Sequence, residues 1–182
     1  EVEEVVVTAT KKEESLQDVA LSVEAFGSDD IVAQQIFDFS DIAESVPGLG
    51  SSKSVGSGSA FTIRGIGSFG VGAANIASVV TASNGHSVND SVFVDIGMYD
   101  LERIEVLKGP QGTLNGRNAT TGIVNFITAR PTGETGGSVD VVVGNYDQVR
   151  TTMVLNAPIS DDLSARLAAV VNERSGYMEN LY

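Results

Sequence analysis

Cysteine is absent from the 182 residues, which removes disulfides, iron–sulfur clusters, thiolate zinc sites and thiol nucleophiles together. Histidine is almost absent too. The lone His86 leaves no multi-histidine metal site, and it stands in a polar stretch with no nucleophile and base assembled around it. Lys and Arg number 11 against 24 Asp and Glu, a net charge of -13, and no basic run offers phosphates a footprint, so nucleic acid is not an expected partner. No window approaches the roughly 18 to 20 apolar residues of a spanning helix; a membrane crossing by this chain would need strands closed into a barrel. The first residues also lack the basic and then apolar layout of a signal segment, as a mature exported chain and a cytosolic one both would.

What remains is rich in glycine, with 20 residues, and 42% hydrophobic without tryptophan. Glycine supplies the positive φ that turns demand, so many turns and short strands are expected in a length of about one domain. Residues 1–18 form a charged lead of six acids and two lysines around one β-prone island, Val5-Val6-Val7-Thr8-Ala9-Thr10. Such a segment extends readily and buries itself poorly. It reads either as a tail with an embedded strand or as an edge strand of the domain C-terminal to it.

Val19, Leu21, Val23 and Ala25 alternate as in a half-buried strand. Ser28 can cap a helix over about 29–37, with Val32, Ala33, Ile36 and Phe37 on one face and Asp29 and Asp30 at its positive end. A second helix over 40–46 carries Phe39, Ile42, Ala43 and Val46 at helical spacing and stops at Pro47-Gly48. Residues 49–60 read as a Ser/Gly loop, and 61–64, 91–94, 103–107 and 123–128 as strands. Between the last two, the glycine-punctuated run from Lys108 to Gly122 has no apolar period and reads as a compact turned segment.

After Pro131 the pattern lengthens. Val139, Val141 and Val143 oppose Ser138, Asp140 and Gly144. Thr151, Met153, Leu155, Ala157 and Ile159 oppose Arg150, Thr152 and Asn156, and Leu163, Ala165, Leu167, Ala169 and Val171 oppose Ser164, Arg166 and Asn172. Period two over about 10 residues, joined by a short turn, is what membrane-barrel hairpins show; a soluble meander alternates in the same way.

Few motifs carry chemistry. Gly65-Ile66-Gly67-Ser68-Phe69-Gly70 fits the dinucleotide pattern G-x-G-x-x-G, but that mechanism needs a second strand ending in an acid about 20 residues on, and Asn84 stands in a polar stretch there. Asp161-Asp162 supplies too few oxygens for calcium. No catalytic constellation and no cofactor or metal site is expected.

The order of the pieces resembles a TonB-dependent outer-membrane receptor of Gram-negative bacteria. Glu4-Val5-Val6-Val7-Thr8-Ala9 is similar to the TonB box; Ser45-Val46-Pro47-Gly48-Leu49 and Ile63-Arg64-Gly65-Ile66-Gly67 resemble plug landmarks. The run from Asp100 to Leu114, continued by Gly116-Arg117-Asn118-Ala119-Thr120, is the most specific match. Where relatives carry Tyr-Val-Asp-Gly-Val this chain has Ala82-Ser83-Asn84-Gly85-His86, and Asn115 replaces a common aromatic.

The resemblance implies an α+β plug with a small mixed sheet and short helices over 20–133, preceded by a coupling segment over 1–19. It is followed over 134–182 by the first three or so antiparallel strands of a 22-stranded transmembrane barrel, truncated here. It implies that Glu4, Val5, Val6, Val7, Thr8 and Ala9 bind TonB, which works with the inner-membrane ExbB/ExbD energiser. Arg64 and Arg117 would face carboxylates of the barrel wall, and Gly65, Gly67, Gly109, Pro110, Gly112, Gly116 and Gly122 would shape the plug. The implied function is import of a scarce solute such as a ferric siderophore, in contact with outer-membrane lipid, with the plug and N-terminus facing the periplasm. A plug-like periplasmic or surface binding module and, more distantly, a dinucleotide enzyme using Gly65, Gly67 and Gly70 are the alternatives.

Overall fold

A computed structural model describes residues 6–8, 14–15, 21–54, 58–67, 78–88, 98–112 and 118–176. Two compact units emerge, Glu1–Thr128 and Ala129–Tyr182. The described strands and helices of the first are β1 (Val6–Val7), β2 (Glu14–Ser15), β3 (Ser22–Gly27), α1 (Ser28–Ala33), α2 (Phe39–Ser45), β4 (Leu49–Ser54), β5 (Gly58–Ile63), β6 (Val79–Ser83), β7 (His86–Ser87), β8 (Leu101–Lys108) and β9 (Gly122–Thr128).

Its centre is a five-stranded mixed sheet in the order β3-β8-β9-β6-β7, in which only β6 and β9 run parallel. Alternation sends successive side chains to opposite faces, and both faces are covered. On one, Phe26, Val79, Ile104, Val106, Val124 and Phe126 meet Ile36, Phe39, Ile42 and Val46 and the hairpin residues Leu49, Phe61 and Ile63. The ring of Phe39 stacks on Phe61 at 4.5 Å between centroids, and Phe126 lies 5.9 Å away. On the other face, Val80, Leu107, Ala119 and Ile123 gather with Ala82 and Val7. Lys108 Nζ donates to Glu24 Oε1 at 2.6 Å and to the Pro47 carbonyl at 2.7 Å, tying the turn after α2 to the sheet.

Several sequence expectations change. The first helix ends at Ala33 rather than near 37, is capped by Gly27 rather than Ser28, and buries none of its own residues; Val32 is 72% exposed. Gln35 at φ 53 breaks the helix, so Ile36 enters the core from the loop. The second helix starts one residue earlier, at Phe39, with Asp38 as its cap: Asp38 Oδ1 accepts from Ser40 N at 2.7 Å and Asp41 N at 3.2 Å. Residues 49–54 and 58–60 are strand, not loop. β4 and β5 pair in register from Leu49↔Ile63 to Ser54↔Gly58, anchored by the buried Leu49, Phe61 and Ile63. β6 is a central strand that the sequence pattern does not reveal, whereas the strand expected at 91–94 lies outside the described residues.

The second unit is a three-stranded antiparallel sheet, β10 (Gly136–Gly144), β11 (Gln148–Ser160) and β12 (Leu163–Glu173), in that order. Pairing sets Val139 opposite Met153 and Met153 opposite Ala169, with Leu155 opposite Leu167, so the expected apolar residues share one face. That face is bare within the unit: Leu167 is 66% exposed and Val143 74%. No described helix is long and apolar enough to cross a membrane.

Candidate functional site

The face of the central sheet away from the helices holds a polar pair in an apolar setting. The register aligns Ala25, Glu105, Asn125 and Ala82 in one row across β3, β8, β9 and β6, and Val23, Leu107, Ile123 and Val80 in the next. Glu105 is 0% exposed. A buried carboxylate is costly unless it accepts several hydrogen bonds, and Glu105 does. Arg103 Nε reaches its Oε1 at 2.8 Å and Asn125 Nδ2 its Oε2 at 3.4 Å, while the Arg103 guanidinium also pairs with Glu102. Asn125 in turn accepts from the Gly85 N–H at 3.0 Å.

The remaining donors come from far away in sequence. Thr8 N donates to Glu105 Oε1 at 2.8 Å, and Thr8 Oγ1 lies 3.1 Å from each carboxylate oxygen. Beside it Val7 is 0% exposed, in the cluster with Val80, Leu107 and Ile123. β1 pairs with β2 through Val6↔Ser15 and Val7↔Glu14. Val7 and Thr8 of the N-terminal island are therefore docked, a seat that the sequence leaves open. The flanking Ala25 and Ala82 carry single methyl groups, and Thr8 sits against the carboxylate between them.

Glu4, Val5 and Ala9 lie outside the described residues, as do Arg117 and Gly116. Arg64 follows β5 with φ 53 and an exposed side chain; its N–H donates to the Gly48 carbonyl at 2.7 Å, and no carboxylate pairs with its guanidinium among the described residues. Gly65, at φ 76, completes the tight turn that brings Ile66 back to Ile63, and a Cβ on Gly67 would strike Thr62. This turn folds back on its own strand and opens no helix among the described residues, unlike a dinucleotide loop. Gly109, at φ 110, and the buried Gln111 continue the β8–β9 ladder through bonds to Thr121 and Ala119 at 2.8 Å. Pro110 and Gly112 are exposed, and Gly122 is packed so closely that a Cβ would overlap the Leu107 carbonyl and Ile63 Cδ1. No group of acids and histidine able to hold a metal ion occurs among the described residues.

A family model described as the TonB-dependent Receptor Plug Domain matches residues 15–123. The chain belongs to the TonB-dependent receptor plug family. Its curated relatives include the vitamin B12 transporter BtuB of Vibrio vulnificus, 31% identical over 95% of this chain and 28% of that protein. The metal-pseudopaline receptor CntO of Pseudomonas aeruginosa is 35% identical over 43% of this chain and 11% of its own length. Among solved structures, the pyoverdine receptor FpvA of Pseudomonas aeruginosa PAO1 superposes with a TM-score of 0.77 at 19% identity, covering 95% of this chain and 25% of that one. The ferric yersiniabactin receptor FyuA of Yersinia pestis gives 0.71 at 24% identity, over 82% and 24%. The chain thus spans less than a third of the length of these proteins. As a TonB-dependent receptor plug it belongs with outer-membrane receptors and not with enzymes, and the dinucleotide reading of Gly65, Gly67 and Gly70 falls.

Glu105 and Asn125 are absent from the sequence-based candidates, although a signal for them exists. Asn125 is the lone polar residue of Ile123-Val124-Asn125-Phe126-Ile127, and Glu105 stands between Ile104 and Val106-Leu107 in a strand that also carries Glu102, Arg103 and Lys108. Polar residues at such positions are seldom buried without a purpose-built partner.

Proposed function

We propose that the chain is the N-terminal part of an outer-membrane receptor that imports a scarce solute, with the plug gating a barrel and TonB, driven by ExbB/ExbD, supplying the energy. The observation that carries this reading is the succession, in one chain, of a plug-family unit and a sheet of strands 9, 13 and 11 residues long with one bare apolar face. Strands of that length match a tilted bilayer crossing. In this reading β10, β11 and β12 open a 22-stranded barrel with the apolar face toward lipid, residues 1–19 couple to TonB, 20–133 form the plug, and the N-terminus faces the periplasm. Arg64, which has no carboxylate partner among the described residues, and Arg117 face acidic groups of the barrel wall. An Arg fork suits such a contact, since it holds carboxylates directionally and releases them without unfolding the plug.

A ferric siderophore is the solute class that fits best, because relatives such as the ferric-pyoverdine 358 receptor of Pseudomonas putida, 26% identical over 94% of this chain, are named for one. TonB would add a strand to residues 4–9, an interaction made by backbone hydrogen bonds. Proline at position 6 removes one donor and resists a paired strand. Val6→Pro in the intact receptor is therefore expected to abolish energised uptake of iron-loaded siderophore while surface binding stays near parental, with Val6→Thr far milder. Uptake at the parental rate in the proline variant, at normal outer-membrane levels, would show that residues 4–9 are not the coupling segment.

A further inference from the structure

We propose that Glu105 is a latch for the coupling strand: its buried carboxylate holds Val6 to Thr8 docked on the plug sheet and withholds the strand from TonB until Thr8 is released. The inference rests on the reading of residues 4–9 as the TonB-binding segment and adds to it a residue on a different strand, 97 positions away in sequence.

Among the described residues, little else holds this segment. The ladder between β1 and β2 is two residue pairs long, far short of a hairpin that is stable by itself. The other anchors are the burial of Val7 and the bonds from Thr8 to Glu105. Hydrogen bonds to an ionised group are the stronger kind, and both the N–H and the hydroxyl of Thr8 are spent on this one carboxylate. An added strand pairs through backbone groups. The Thr8 N–H is already donated to Glu105, so it must be freed before a partner strand can use it.

The same geometry makes the latch reversible. A buried carboxylate stripped of all partners would be prohibitive, but Arg103 and Asn125 belong to the sheet and stay in place when Thr8 leaves. Glu105 then loses its bonds to the strand and keeps those to the plug. Asn125 is itself oriented by the Gly85 N–H, so the amide that keeps Glu105 aligned is held from a turn on the far side of β9. Glu105 is thus a positioning residue for the coupling segment, and its carboxylate form matters because every partner is a donor.

The test uses the intact receptor in detergent, with hydrogen exchange at residues 7–8 and binding of a soluble TonB fragment as two separate readouts. Glu105→Gln replaces one acceptor oxygen by a donor facing donors without touching the strand; Thr8→Val removes only the hydroxyl and leaves the plug sheet intact; Thr8→Ser keeps the hydroxyl. Glu105→Gln and Thr8→Val are expected to speed exchange at residues 7–8 about tenfold or more, and Glu105→Gln to tighten TonB binding by a similar factor, because the competent state becomes more populated. Thr8→Ser should behave as the parent. Parental protection in both Glu105→Gln and Thr8→Val overturns the latch; if Glu105→Gln fails to fold, Thr8→Val decides alone. Faster exchange without tighter TonB binding overturns the withholding role, and if Val6→Pro also leaves uptake intact, the coupling reading has failed and not the docking contact.

Discussion

Gly122 and Gly65 have positive φ for different reasons, and the same substitution should cost each a different amount. A Cβ on Gly122 would overlap the Leu107 carbonyl and Ile63 Cδ1, whereas one on Gly65 would meet nothing within 4 Å. Gly122→Ala must push the β8–β9 ladder apart, an overpacking cost of about 1–3 kcal/mol added to its backbone strain. Gly65→Ala bears the left-handed backbone alone, about 1–2 kcal/mol. Urea unfolding of residues 1–133 should rank them in that order; equal midpoints would mean that the close approach at Gly122 relaxes freely. Single residues are legible in the sequence where the backbone demands them. Asn84 and Gly85, at φ 50 and 77, form the turn that an Asn-Gly pair favours, and that pair marks the end of β6 immediately upstream. Glu105 is not legible as part of a site, since nothing in residues 101–108 says that a strand from residue 6 will lie over it.

At the scale of elements, two helices of similar appearance in sequence turn out differently. α2 is fixed at its N-terminal end and along its face: Asp38 caps it, Asp41 Oδ2 accepts from Phe37 N at 2.8 Å and Asp38 N at 2.9 Å, and Phe39 and Ile42 are buried. α1 has Asp30 bonded to Gly27 N at 3.2 Å and no buried residue. Asp38→Ala is expected to destabilise residues 1–133 by about 1 kcal/mol, while Val32→Ala on α1 should stay within about 0.5 kcal/mol. Thermal or urea unfolding reads both, and a loss at Val32 as large as that at Asp38 would contradict the exposed placement of α1. Periodicity finds both helices because it reports what a segment could bury. It misjudges α1 because burial depends on a neighbour, and Ile36 reaches the core only after the helix has ended. β4 and the first half of β5 are hidden for the opposite reason: their serines and glycines carry no period, and only Phe61 and Ile63 mark the end of β5 that the sequence shows as a strand.

At the scale of the whole molecule, the feature most completely legible in the sequence is the alternation of β10 to β12, and the ambiguity it leaves is between a membrane barrel and a soluble meander. The two differ in what touches the apolar face. Leu155 sits opposite Leu167 on that face, 59% exposed, whereas Thr152 points to the other side, opposite Asp140. If lipid covers the face in the intact receptor, an arginine at 155 costs about 2–4 kcal/mol near the bilayer midplane, and Leu155→Arg should reduce the amount of receptor assembled in the outer membrane. Thr152→Arg adds the same charge beside the carboxylate of Asp140, away from lipid, and should assemble at close to the parental level. A soluble meander reverses the expectation for the first variant, because a charge on a bare apolar face improves solubility. Quantitative immunoblotting of outer-membrane fractions, with heat-modifiability to score folded barrels, separates the cases. Parental assembly of Leu155→Arg would remove lipid from that face and, with it, the assignment of β10 to β12 to a barrel wall.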